Sequence, residues 1–299
     1  MSTDFRIDAL LPQQMATHAE YVGVRKSLAP FLTLFALAVL AGAFIALGAI
    51  FATTIISGDM AIQTADGSTA FSTNFPFGFN KLLAGLVFCL GLILVIVGGA
   101  ELFTGNNLIV MAWANGKVST RALLRNWGIV YVGNFIGAVG TAVLLFLSKQ
   151  YTFGGGAVGL TALNIAFGKV QLGFIQAIAL GILCNTLVCL AVWMTFSARS
   201  TIDKIAAVIF PITAFVAAGF EHSIANMYFI SIGLFIKDFS SPEFWQSIGK
   251  MPSDYAAVTW KTFMINNLLP VTIGNIIGGA IFVAGVYWLI YLRGGKNNE

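Results

Sequence analysis

Residues 205–236 read IAAVIFPITAFVAAGFEHSIANMYFISIGLFI. The run is long enough to cross a bilayer, and its middle holds two ionisable residues, Glu221 and His222. A helical crossing needs about 20 predominantly apolar residues. An ionisable group at that depth is costly and marks a cavity or a partner. The pattern has an earlier counterpart: Leu82 to Ala100 is uncharged, Glu101 follows, and apolar character resumes to Trp113. Four further windows carry no charge: Ser27 to Gly58, Asn126 to Ser148, Val170 to Ala198 and Thr262 to Leu292, the last containing Pro270. The expected fold class is therefore an all-α membrane protein with six crossings.

Composition supports this. Of 299 residues, 58% are apolar and 9% charged, whereas a soluble domain carries about 25% charged residues and needs them to coat its surface. The net charge of +4 comes from scattered residues that form no basic patch, so nucleic acid is not an expected partner. Cys89, Cys184 and Cys189 all lie in apolar stretches and read as small buried hydrophobes rather than a disulfide framework. His18 and His222 are the only histidines, too few for a zinc site, and no cofactor is called for. The stretch before Phe31 contains Asp4, Arg6, Asp8 and Glu20 and is too long and too acidic for a signal-peptide start.

Lysine and arginine in the loops set the orientation. With six crossings both termini share a side, and that side holds all the arginines: Arg6, Arg25, Arg121, Arg125, Arg199 and Arg293. Both termini are expected in the cytoplasm. Leu11, Met15, Ala19 and Val22 recur at helical spacing, so residues 1–28 are read as a cytoplasmic amphipathic N-terminal helix that anchors the chain or helps to gate it. Residues 29–293 form the transmembrane domain and 294–299 a cytoplasmic tail.

The halves echo each other. Gly133-Asn134-Phe135-Ile136-Gly137-Ala138 resembles Gly274-Asn275-Ile276-Ile277-Gly278-Gly279 at an offset of 141 residues. Glu101 with Gly105-Asn106 resembles Glu221 with Ala225-Asn226 at an offset of 120. A three-span unit is odd in number, so its second copy enters the membrane from the opposite side. Inverted repeats of this kind are a transport architecture.

Spans 2 and 5 are expected to break. Thr104-Gly105-Asn106-Asn107 follows Glu101, and His222-Ser223-Ile224-Ala225-Asn226 follows Glu221; both runs favour turns. Irregular backbone at membrane depth is tolerated only where it is buried in protein or lines a cavity, and two helix ends meeting there offer amide groups to an anion. Glu101 and Glu221 have two readings, proton handling or structural support of the breaks by accepting backbone N–H bonds. The structural reading is preferred because paired carboxylates would repel an anion. Asn106 and Asn226 belong to the same breaks. His222 has the one intramembrane side chain with an ordinary pKa near physiological pH, and reads as a proton donor to a weak-acid anion or as a satisfied structural histidine.

Beyond these readings, the chain resembles the formate–nitrite transporter family over essentially its whole length, nearest to its bacterial formate channels. The resemblance rests on Gly99-Ala100-Glu101-Leu102-Phe103-Thr104, Asn126-Trp127, Gly181-Ile182-Leu183-Cys184-Asn185, Gly219-Phe220-Glu221-His222-Ser223-Ile224-Ala225-Asn226-Met227, Ser241-Pro242-Glu243-Phe244-Trp245 and Pro270-Val271-Thr272-Ile273-Gly274-Asn275. It implies an aquaporin-like fold, a homopentamer with a pore in each protomer, a bacterial inner-membrane location and formate as substrate. It also implies residue roles. His222 would be the central pore histidine and Thr104 its partner. Asn185 and Lys169 would attract and polarise the anion. Phe88, Leu92, Leu102, Phe103, Val188 and Phe215 would form two apolar constrictions. The sequence departs from the formate-channel pattern at Glu101, at Gly105-Asn106-Asn107 and in a longer Gly58 to Asn80 loop.

A dry constriction is a barrier to an ion and a lower one to a neutral acid, so passage as anion and passage as acid both remain open. Within transport, nitrite, hydrosulfide, lactate or a neutral solute are alternatives. An intramembrane enzyme is disfavoured: Ser223 directly follows His222 and cannot easily face it, and no ligand set for a metal is present.

Overall fold

The computed structural model describes residues 9–58 and 76–293 in full and the backbone of 61–63 and 69–72. The first eight residues of the expected N-terminal helix, the expected tail 294–299 and, in the loop from Gly58 to Asn80, residues 59–60, 64–68 and 73–75 lie outside the described residues.

The chain is overwhelmingly helical. It runs through α1 (Pro12–Ser27), α2 (Phe31–Ile55), α3 (Phe77–Gly98), a 3-10 turn (Gly105–Ile109), α4 (Val110–Ala114) and α5 (Thr120–Leu147). Then follow α6 (Ala157–Val170), α7 (Phe174–Ser197), α8 (Thr201–Ala217), α9 (Ser223–Phe239), α10 (Pro242–Ile248) and a final helix over 260–291, here α11. Two short strands, Ala61–Gln63 and Thr69–Ser72, pair antiparallel between α2 and α3. Among the described residues, five stretches are long and apolar enough to cross a bilayer: Phe31–Ile55, Phe77–Gly98, Thr120–Leu147, Phe174–Ser197 and Pro252–Tyr291.

Local signals fix the helix ends. Pro30 and Pro76 precede α2 and α3, Ser119 caps α5 by accepting from Ala122 N, and Ser200 and Asp203 form a reciprocal capping box on α8. α11 is α-helical at Leu269–Ile276 and Val286–Tyr291, and two π-helical stretches, Phe263–Leu268 and Ile277–Gly285, interrupt it. Pro270 therefore sits inside a crossing without ending it, just after a wider turn.

The packing repeats. α2 lies between α3 and α5, α7 lies between α8 and α11, and α3 meets α8 where the halves join. Backbones approach closely at matched glycines. A Cβ on Gly137 would collide with the Val39 carbonyl, and one on Gly278 with the Ile182 carbonyl. Association of helices in lipid relies on such contact, because burying apolar surface from lipid gains little. α6 was not anticipated from the sequence; its 14 residues pack against α9.

Polarity is distributed inside out. Leu32, Ile175 and Phe210 are each more than two-thirds exposed, while Asn106, Asn126, Asn134, Asn185, Asn226, Asn267 and Asn275 are buried. α1 does not present its apolar face outward. Met15, Ala16, Ala19 and Gly23 are buried against the 3-10 turn, α4 and α7, Leu11 is exposed, and Glu20 is buried in an ion pair with Lys117 at 2.9 Å.

Gly137→Val tests the close approach. The β-branched side chain is expected to destabilise the protein by about 1–3 kcal/mol through overpacking, read as a lower melting temperature in detergent. Gly140→Ala, whose added carbon meets nothing within 4 Å, is expected to leave that temperature unchanged or raise it.

Candidate pore site

The site is built from two interruptions related by the 120-residue offset. α3 ends at Gly98, and Gly99 turns the chain with φ +74°. α8 ends at Ala217, and Gly219 turns the chain with φ +72°. Each glycine adopts a conformation that side chains disfavour. The next amide folds back in both cases, Ala100 N to Val95 O at 2.9 Å and Phe220 N to Phe215 O at 3.0 Å. The interruptions cover residues 99–104 and 218–222; they contain the two glutamates and begin two or three residues before them, earlier than the runs after Glu101 and Glu221 to which the sequence pointed. Thr104-Gly105-Asn106-Asn107 does not form the turn: Gly105 opens the 3-10 helix and the side chains of Asn106 and Asn107 are spent on tertiary hydrogen bonds.

Asparagines hold the extended segments. Asn134 accepts from Phe103 N at 2.9 Å and donates to Ala38 O and Glu101 O at 2.7 and 2.9 Å. Asn275 accepts from Ser223 N at 2.9 Å and donates to Gly181 O and Glu221 O, both at 2.9 Å. Glu101 N donates to Leu37 O at 3.1 Å and Glu221 N to Leu180 O at 3.3 Å. These bonds occupy several of the amides expected to face an anion.

The carboxylates take side-chain donors rather than the backbone N–H groups expected of them. Glu101 accepts from Asn106 Nδ2 at 2.7 Å and from Lys26 Nζ at 3.0 Å. Glu221 accepts from Asn226 Nδ2 at 2.6 Å and from Lys169 Nζ at 2.8 Å. Asn126 then ties Asn106 to the Lys26 carbonyl, as Asn267 ties Asn226 to the Lys169 carbonyl. Lys26, Asn126 and Asn267 were not singled out as site residues from the sequence. The signal was present, since Asn126 and Asn267 share the 141-residue offset of the Gly-Asn motifs.

The symmetry fails at the centre. The 120-residue offset pairs Leu102 with His222 and Thr104 with Ile224. His222, 2% exposed, is the N-cap of α9, and its Nδ1 accepts from Ala225 N at 3.0 Å. A nitrogen that accepts an N–H bond carries no proton, so the ring is in its Nε2–H form. Nε2 then donates to Thr104 Oγ1 at 3.0 Å. The Thr104 hydroxyl proton is left to turn toward a substrate.

Two separate cavities approach this pair from opposite ends. One, about 500 Å3, is lined by Lys81, Lys169, Glu221, His222, Phe88 and Phe215 on the side away from the termini. The other, about 580 Å3, is lined by Lys26, Glu101, Arg199, Lys204, Leu92 and Leu102 on the terminal side. Liquid water occupies roughly 30 Å3 per molecule, so each vestibule has room for a small ion with its hydration. Phe215 stacks on His222 at 5.9 Å and meets Phe88 edge-on at 5.6 Å. Of the residues expected at constrictions, Phe88, Phe215, Leu92 and Leu102 face the cavities. Phe103 and Val188 line neither; Phe103 packs on Tyr131 and Trp127 of α5. Asn185 also lines neither, and its amide donates to Asn275 O, Asn107 Oδ1 and Thr104 O.

Comparison with known proteins gives the family. Residues 13–289 match the formate/nitrite transporter family. The chain is 46% identical over 293 residues to the formate channel FocA of Escherichia coli strain K12, covering 98% of each. It is 43% identical over 280 residues to FocA of Haemophilus influenzae, covering 93% of each. A solved structure described as a pentameric formate channel with formate bound superposes with a TM-score of 0.80 at 44% identity, covering 88% of this chain and 98% of that one.

Lys169→Met leaves the Glu221 carboxylate buried without its cation, and is expected to cost about 3–5 kcal/mol. Lys169→Met combined with Glu221→Gln removes both charges and is expected to recover most of the lost melting temperature. Equal melting temperatures for the single and double variants would contradict the pairing.

Proposed function

The chain belongs to the formate/nitrite transporter family, and from that membership we propose that it conducts formate across a bacterial inner membrane, as a homopentamer with one pore in each protomer. α8 and α9 together make the sixth crossing, spans 2 and 5 are the broken ones, and both termini face the cytoplasm. α1 is a cytoplasmic cover on the transmembrane domain 29–293. The observation that carries the reading is the Thr104–His222 pair, buried between two basic vestibules and flanked by apolar rings.

Formate enters a vestibule with its water and must shed it at Phe88 and Phe215 or at Leu92 and Leu102. An ion without hydration or partners is strongly disfavoured there. The Thr104 hydroxyl and His222 Nε2–H replace part of the lost hydration with hydrogen bonds at the narrowest point. In the resting tautomer His222 donates a hydrogen bond rather than a proton. It gains a transferable proton only when Nδ1 is protonated, which breaks its bond to Ala225 N. Acidification therefore gives access to a second route, in which the imidazolium hands a proton to formate, formic acid crosses, and the ring recaps α9. Glu101 and Glu221 hold the hinges; Asn185 positions Thr104 through its backbone carbonyl.

His222→Asn separates these roles. Asparagine is a strong N-cap and keeps the bond to Ala225 N, but it is too short to reach Thr104 from there and cannot take up a proton. Formate flux in proteoliposomes is expected to lose its dependence on pH between about 5 and 7. A variant with the wild-type pH profile would refute the proton route. Parallel uptake of nitrite, hydrosulfide and lactate tests the substrate, with formate expected to be the fastest.

A further inference from the structure

The ion pairs leave unanswered what draws an anion to the pore. Lys169 lines the far-side vestibule, yet its ammonium lies 2.8 Å from Glu221 Oε1 and the pair is largely buried. From a distance such a pair is a dipole, and its pull falls off much faster than that of a single charge. Lys26 and Glu101 cancel in the same way at 3.0 Å on the terminal side. Attraction must come from charge left over.

On the far side that charge is Lys81. It stands one turn into α3, half-buried, on the wall of the same vestibule, close enough to Lys169 and Glu221 to feel both. Among the described residues no carboxylate pairs with it. Its ammonium lies 5.4 Å from the Phe77 ring centroid, a contact that neutralises none of its charge. On the terminal side the counterpart is Lys204, near the start of α8 and within one turn of the position equivalent to Lys81, on a vestibule wall that Arg199 also lines. It too is half-buried and lines its vestibule. The neighbouring Asp203 carboxylate is taken by the backbone amides of Arg199 and Ser200. His18 lines this vestibule as well, but burial holds its imidazole below the ordinary histidine range, so it is neutral at pH 7. Neither lysine strengthens its helix, since a helix N-terminal end favours anions.

We propose that Lys81 and Lys204 are the capture residues of the two mouths: uncompensated cations that concentrate a small monovalent anion in each vestibule, while Lys169 and Lys26 serve the hinges. This rests on the reading of the chain as an anion channel. The capture role is electrostatic and therefore screened. The Debye length is about 30 Å at 0.01 M salt and about 3 Å at 1 M, so the field of each lysine spans its vestibule in dilute salt and is local in concentrated salt.

The test is initial formate uptake into proteoliposomes well below half-saturation, at low and high concentrations of an impermeant salt. Lys81→Gln and Lys204→Gln are combined so that both orientations of the reconstituted protein are read. In dilute salt the double variant is expected to take up formate about tenfold more slowly than wild type, at the low end of electrostatic steering effects. At high salt the difference is expected to vanish. The loss should appear in the half-saturating concentration rather than the maximal rate, and Lys81→Arg with Lys204→Arg should restore uptake. Equal uptake in dilute salt, or a loss of the same size at both salt concentrations, would overturn the proposal. Wild-type protein gives a second reading that needs no variant: its uptake at low formate must fall as salt rises, and a salt-independent rate would also overturn the proposal. Wild-type protein that passes no formate would instead refute the functional reading.

Discussion

Most of this structure depends on satisfying backbone groups where the helices stop. In the hydrocarbon core an unpaired N–H or C=O costs several kcal/mol, and two interruptions expose several of each. Asn134 and Asn275 answer this with one side chain apiece, each accepting from one amide and donating to two carbonyls. No residue type but asparagine or glutamine has an acceptor and two donors on one planar group, and the shorter arm of asparagine is the better fit beside the glycines that bring the helices together. The Lys–Glu–Asn sets extend the same solution outward. The charges are there to complete a hydrogen-bond network, and their mutual neutralisation keeps them from repelling or trapping an anion.

The site proposed for conduction lies where the repeat is imperfect. The hinges match in their glycine turns, asparagine brackets and lysine–glutamate pairs, yet Leu102 faces His222 across the relation and Thr104 faces Ile224. Each half contributes one polar residue to a pair at 3.0 Å and one apolar residue around it. A symmetric pair of histidines would carry more charge in acid, and a symmetric pair of leucines would give an ion nothing to bind. The asymmetric pair gives one tunable hydrogen-bond donor inside an otherwise apolar gap.

Much of this was legible in the sequence. The apolar windows located the long helices, and the Gly-Asn recurrences located the repeat, because both signals are local. That Glu101, Glu221 and His222 would be buried and partnered followed from the cost of charge at depth. The interruptions were read a few residues late because turn propensity was taken from Thr104-Gly105-Asn106-Asn107, whereas the chain first turns at Gly99 and Gly219 and the asparagines make tertiary bonds. Lys26 went unrecognised because its partner Glu101 is 75 residues away. Asn185 looked like a pore donor, but its amide protons are already committed, which no spacing reveals.

The division of labour among the lysines follows from depth. A lysine near the hinge sits where dielectric screening is weak, so an unpaired ammonium there would bind an anion tightly and hold it, defeating conduction; pairing with a glutamate removes that trap. A lysine at the mouth sits where water screens it, so it can stay unpaired and still release what it attracts. A pore that must both collect and pass its substrate therefore needs its net charge outside and its hydrogen-bond donors within. Lys81 and Lys204 stand half-buried on the vestibule walls without a carboxylate partner among the described residues, Lys169 and Lys26 are paired at the hinges, and Thr104 meets His222 between the two vestibules. On the proposed reading, that gradient from charge to ion pair to neutral donor lets one narrow passage combine attraction with turnover.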